Sequence, residues 1–264
     1  MTTKILKMGL FGALSVVGTL VPALADGEEK AASPWSVTIG ATTDYRFRGI
    51  SQSDQSPAVQ GSIDFKSESG FFAGAWASNI DFNDDGLITD GDTKLELDLY
   101  AGFSHAFSET TSGVLKAVYY TYPTADFLPG ANDYNYFELI ADLSHDFGSA
   151  SVTGEIAWSP DYFYESGDSV ALTGTLSVPL TDKFWFFDGG LSASGHAGYQ
   201  WIDDNATYGT PDYFYYDVGL SAVWGPATFD VRWVDTDLSK GECYGGATLC
   251  EGGVFGTISF TFGG

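Results

Sequence analysis

The feature that most restricts the fold of this chain is an alternation of period two, recurring about a dozen times, with apolar side chains on one parity and charges on the other. In the first segment Trp35, Val37, Ile39, Ala41, Tyr45 and Phe47 share one face. Ser36, Thr38, Thr42, Asp44, Arg46 and Arg48 share the opposite one. Val59, Ile63 and Phe65 then oppose Gln60, Asp64 and Lys66, and Leu95, Leu97, Leu99 and Phe103 oppose Lys94, Glu96, Asp98 and Tyr100. Later segments set Phe137, Leu139 and Leu143 against Glu138 and Asp142, and Val152, Ile156 and Trp158 against Thr153 and Glu155. Phe214, Tyr216, Val218, Leu220 and Trp224 oppose Tyr215 and Asp217, and Phe229, Val231 and Trp233 oppose Asp230 and Arg232. Small residues blur the faces at 71–79, 114–122, 169–180 and 187–201, and a last segment aligns Val254, Ile258, Phe260 and Phe262.

A soluble sandwich would also alternate, but one parity would then have to fill a dry core, and the inward parity here is charged. Hydrocarbon outside and a polar interior satisfies both faces. The fold class expected is all-β: a transmembrane antiparallel up-and-down β-barrel of about twelve strands. Connection lengths agree. Residues 67–70, 107–113, 148–150, 181–183 and 225–226 are short, and between them fall longer acidic or aromatic segments at 49–57, 81–93, 123–133, 160–168, 203–211 and 238–252. Long and short connections alternating in this way put both termini on the periplasmic side. Tyr119, Tyr120, Tyr122, Phe163, Tyr164, Trp201, Tyr213 and Tyr215, near strand ends, are expected in an interfacial girdle.

Residues 1–25 carry Lys4 and Lys7, an apolar run from Met8 to Val21 and the small-residue pattern Ala23-Leu24-Ala25, which reads as a cleaved signal peptide. Residues 26–264 are then the barrel, placed in the bacterial outer membrane with its lipid as a partner. Without the two lysines the formal charge of −24 becomes about −26, which excludes a nucleic-acid footprint. Cys243 and Cys250, in a Gly-rich segment of an exported chain, are expected to form a loop-closing disulfide.

The stretch Thr43-Asp44-Tyr45-Arg46-Phe47-Arg48-Gly49-Ile50-Ser51-Gln52-Ser53, with Pro57-Ala58-Val59-Gln60-Gly61, Gly70-Phe71-Phe72-Ala73-Gly74 and Leu95-Glu96-Leu97-Asp98-Leu99-Tyr100-Ala101-Gly102, resembles the TorF-type family of porin-like proteobacterial proteins. The resemblance runs across the mature chain. It implies an outer-membrane barrel and says little about substrate, because that family is itself largely uncharacterised.

By parity the lumen receives Asp44, Asp64, Glu96, Asp98, Glu138, Asp142, Glu155, Asp217 and Asp230, against Arg46, Arg48, Lys66, Lys94, Lys116 and Arg232. Ionisable groups in a narrow aqueous pore set which ions enter, so the excess of acids implies a cation-preferring channel for passive diffusion of small hydrophilic solutes or ions. The alternative is a closed structural or surface-interaction barrel, whose charges pair across strands and fill the lumen while long acidic, aromatic outer loops bind partners. Arg46 and Arg48 either wall a constriction or pair with Asp44 or Asp64. The segment 81–92 matches the calcium-loop pattern at Asp81, Asn83, Asp85 and Gly86, with Asp92 in place of the usual Glu. A solvated acidic loop is the other reading, and no further cofactor is expected. Of the histidines, His105 and His145 fall on the lipid-facing parity and only His196 faces the lumen, so no Ser-His-acid constellation can be assembled and no enzyme is expected.

Overall fold

The computed structural model describes residues 33–82, 93–125, 132–183, 185 and 189–264. Twelve strands form one sheet closed on itself: β1 (Trp35–Thr42), β2 (Ala58–Lys66), β3 (Phe71–Asn79), β4 (Leu95–Ala106), β5 (Thr111–Thr121), β6 (Tyr136–Asp146), β7 (Ser151–Ser159), β8 (Ser169–Thr181), β9 (Leu191–Ile202), β10 (Tyr213–Trp224), β11 (Ala227–Thr236) and β12 (Gly253–Gly263). Each strand pairs antiparallel with its neighbours in sequence, and β1 pairs with β12 from Ser36↔Gly263 to Thr42↔Thr257, so the sheet has no free edge. Strand 1 begins beside the end of strand 12, which places both ends of the barrel chain at the short-turn rim.

The alternation read from sequence is the alternation seen in space. Ile39, Val59, Leu99, Phe103, Leu143, Val218 and Val231 are exposed on the outer wall, while Thr38, Glu96, Glu138, Glu155 and Arg232 are buried inside. An apolar outer belt around a polar interior is what a barrel surrounded by lipid presents. The connection after β8 is longer than expected. Strand β9 starts at Leu191, and Gly190 before it takes a left-handed φ of 86°, a turn conformation open to Gly without a Cβ clash.

Two expectations need correction. The first segment does not run on as a strand through Arg48: β1 ends at Thr42, and residues 43–57 turn into the lumen, where Arg46–Phe47 pairs with Ile50–Ser51 in a small hairpin. Tyr45 and Phe47 consequently pack inside the barrel, away from its outer wall. Nor do the aromatics near strand ends form one girdle. Tyr119 and Trp201 face outward, but Tyr120, Tyr122, Tyr213 and Tyr215 are buried in the lumen, because each lies on the inward parity. The loop-end half of the interior is therefore packed with phenol rings, including the stacked pair Tyr120–Tyr136 with centroids 4.3 Å apart.

Candidate functional site

The inward hairpin carries the site. Its two central residues, Arg48 and Gly49, both have left-handed φ, 46° and 86°, the geometry of a tight two-residue hairpin turn. Gly49 is required twice over, since a Cβ there would lie 2.5 Å from Thr236 Cγ2 on β11. At the tip, Arg48 spans the lumen. Its Nη1 and Nη2 donate to Glu138 Oε1 and Oε2 on β6 at 2.8 and 3.0 Å, and Nη1 donates to Gln200 Oε1 on β9 at 3.0 Å. The two-pronged guanidinium–carboxylate contact fixes both distance and orientation. Tyr120 donates to the same carboxylate at 3.1 Å, and the Arg48 guanidinium lies 4.7 Å from the Phe47 ring centre.

Behind the tip, Arg46 pairs with Asp44 and donates to the carbonyls of Gly49, Leu249 and Glu251 at 3.0–3.1 Å. Ser51 donates its Oγ to Asp44 Oδ1 at 2.6 Å and its backbone N–H to the Leu249 carbonyl at 2.9 Å. Leu249 sits inside the ring closed by the Cys243–Cys250 disulfide, whose Cα atoms are 5.9 Å apart. The expected disulfide is present, and its loop is the clamp that holds the hairpin.

The other inward groups fall into two sets. On β9–β11, Arg232 donates through Nε to Asp217 Oδ1 at 2.8 Å and through Nη1 to Asp230 Oδ2 at 3.3 Å, and His196 Nδ1 lies 2.7 Å from Asp217. On β2, Asp64 accepts from Ser62 at 2.7 Å and from the Tyr100 hydroxyl. Glu96, Asp98, Asp142 and Glu155, by contrast, are buried with at least one carboxylate oxygen lacking a hydrogen-bond partner, and Asp98 lacks one on both. Asp142 and Glu155 face each other across β6 and β7. Lys66 is exposed at the end of β2. Lys94 is not luminal as parity suggested: it precedes β4 and its exposed Nζ binds Asp81 Oδ1 at 2.7 Å. Of the calcium-loop residues, Asn83, Asp85 and Asp92 lie outside the described residues. Among the described residues no cluster of three or more metal-ligating His, Cys or acid side chains occurs.

Two cavities flank the hairpin. The outer, of about 350 Å³, is lined by Phe47, Ile50 and Gln52 of the inward loop, by Glu96 and Tyr122 of the wall, and by loop residues including Tyr162, Phe163, Tyr208 and Tyr244. Tyr208 is presented by a single helical turn, Asn205–Tyr208, whose Asp204 cap accepts the Thr207 N–H at 3.0 Å. The second cavity, about 70 Å³, touches the other side of the hairpin at Arg46, Arg48 and Gly49 and is lined by Glu155, His196, Asp217 and Arg232. The hairpin is thus a septum between an aromatic outer chamber and a charged inner one. Sequence reasoning found the charges of the septum but not the septum. The signal available was Gly49 directly after Arg48, a residue suited to a turn at the junction of the first segment and the connection 49–57.

The fold is shared with solved outer-membrane channels. The KdgM porin superposes with a TM-score of 0.55 at 10% identity over 86% of this chain and 99% of that one, and is also known in complex with disordered oligogalacturonate. The NanC porin gives 0.52 at 9% identity over 86% and 98%. No curated protein matches the sequence. A family model described as a bacterial protein of unknown function, Gcw_chp, matches residues 28–262, and this, rather than a TorF-type name, is the family the match carries.

Proposed function

The chain belongs to the Gcw_chp family, whose description assigns no activity, and from the site itself we propose a narrow porin-like outer-membrane channel that passes small hydrophilic solutes or ions by diffusion and prefers cations. One observation carries the preference. The inward bases Arg46, Arg48 and Arg232 are each held by a carboxylate and Lys116 acts on Asp142, whereas Asp64, Glu96, Asp98 and Glu155 form no salt bridge among the described residues. This excess of inward acids over bases supports a cation preference, since each of these carboxylates that is ionised raises the local cation concentration and repels small anions. An oligogalacturonate, the polyanion held by KdgM, would meet repulsion here, so likeness of fold does not extend to likeness of cargo.

The septum supports a second reading, a barrel closed at rest, because Arg48 bridges the lumen between the two cavities. Single-channel current of the refolded chain in a planar bilayer under a KCl gradient separates the readings. Discrete steps with a cation-sided reversal potential are expected. An anion-sided reversal refutes the charge argument, and a folded barrel that gives no steps favours the closed reading.

A further inference from the structure

The outer cavity has a composition that selects its occupant. Of its nineteen described lining residues ten are Phe or Tyr, none is Lys, Arg or His, and the single acid is Glu96. Phe82, Tyr122, Tyr134 and Phe163 touch one another with ring centres 5.1–6.0 Å apart, forming a continuous aromatic wall. Glu96 is 3% exposed; its Oε1 accepts the Tyr122 hydroxyl at 3.5 Å, and its Oε2 has no hydrogen-bond partner.

These groups decide between ligand classes. An anion would face the Glu96 carboxylate with no base to offset it. A bare metal ion needs several oxygen ligands in place of its water, and the wall supplies rings. A purely apolar guest would further desolvate a carboxylate and give it no counter-charge. A cation carried on an apolar body satisfies both surfaces, its charge near Glu96 and its alkyl groups against ring faces that attract positive charge.

We infer that the outer cavity binds small organic ammonium ions, with Glu96 as the counter-charge and the packed rings of Phe82, Tyr122, Tyr134 and Phe163 as the aromatic wall against which the alkyl groups lie. This deepens the channel reading by giving its mouth a ligand class, and rests on that reading only for where the ligand goes next.

The test is calorimetric titration of the refolded full chain with choline and with dimethylbutanol, its uncharged carbon isostere. Choline binds about tenfold more tightly than the alcohol, and Glu96→Gln removes about that factor while leaving the alcohol unchanged. Phe82→Leu provides a second variant that spares the lumen charges, and weakens choline several-fold more than the alcohol. Equal affinity for the two probes, no binding of choline, or a Glu96→Gln protein that binds choline as before overturns the assignment. So does tighter binding of an uncharged sugar, which would make the cavity a carbohydrate platform. Bilayer current on the same preparation keeps the two claims apart: current without choline binding sinks the ligand assignment alone, and choline binding without current sinks the channel alone.

Discussion

Removing the Arg48 side chain tests whether the hairpin closes the lumen. In Arg48→Gly, Glu138 loses both guanidinium hydrogen bonds and Gln200 loses its donor. Breaking a buried ion pair from one side costs about 3–5 kcal/mol, because the remaining charge stays desolvated. Some of this is returned, since a glycine at φ 46° relieves about 1 kcal/mol or more of left-handed strain. The docked hairpin is thus weakened by about 2 kcal/mol or more, a shift of roughly 30-fold toward the undocked state. The barrel ladder is untouched, so far-ultraviolet circular dichroism is unchanged. Single-channel recording should show larger or more frequent openings and stronger cation selectivity, as Glu138 is now an uncompensated acid. Adding Glu138→Gln to Arg48→Gly should cancel the gain in selectivity and retain the openings. Conductance and selectivity identical to the unmodified protein would refute the septum as the element that sets passage.

Four further outcomes follow from the same contacts. Reducing Cys243–Cys250 frees the ring that offers the Leu249 carbonyl to Arg46 and Ser51, so trypsin cleavage at exposed Lys240 should accelerate several-fold; an unchanged rate would count against the clamp. Glu242 accepts from the Ser239 hydroxyl and N–H, which holds its pKa below the ordinary glutamate value, so its contribution to loop order is present above that value and lost as pH falls below it. Amide exchange in 239–246 should quicken through this acid window, and Glu242→Gln should abolish the step. At Gly198 a Cβ would lie 2.4 Å from the Tyr215 ring, so Gly198→Ala should displace a phenol bonded to Thr173 and destabilise the barrel by about 1–3 kcal/mol in urea unfolding; a neutral effect would mean that the ring moves freely. Lys94→Met removes the lysine that competes for the Asp81 carboxylate, and if segment 81–92 takes calcium the melting temperature gained from millimolar Ca²⁺ should grow in this variant; EDTA-insensitive melting in both proteins refutes calcium binding.

Strand number, facing and closure were legible because an apolar outer wall and a charged interior impose the same rule on every strand, so Glu96, Glu138, Glu155, Asp217 and Arg232 could be assigned inward from parity alone. The rule failed where it kept holding by accident. Residues 43–48 continue the polar–apolar alternation of β1 past Thr42, so a chain that leaves the wall is indistinguishable in pattern from one that stays in it. Lys94 failed for the same reason at the opposite end of a strand, where the parity of β4 extends one residue beyond its ladder. The tyrosines were misplaced because closeness to a strand end was weighed above parity: Tyr119 and Tyr120 are adjacent in sequence, and one faces out while the other is buried. The outer cavity needs loops from six parts of the chain to meet, and no local pattern records that meeting.

The position of the septum in the chain also bears on how the barrel is assembled. Residues 43–57 follow the first strand, so they emerge early, yet their partners Glu138, Gln200 and Leu249 lie 90, 152 and 203 residues further along. Contacts of such separation form late, after the loops between them have closed. Until β12 arrives to pair with β1, the hairpin has neither its clamp nor a complete wall to press against. Its seating therefore reports a finished barrel, and an incompletely closed one would remain leaky through the path that the finished one narrows.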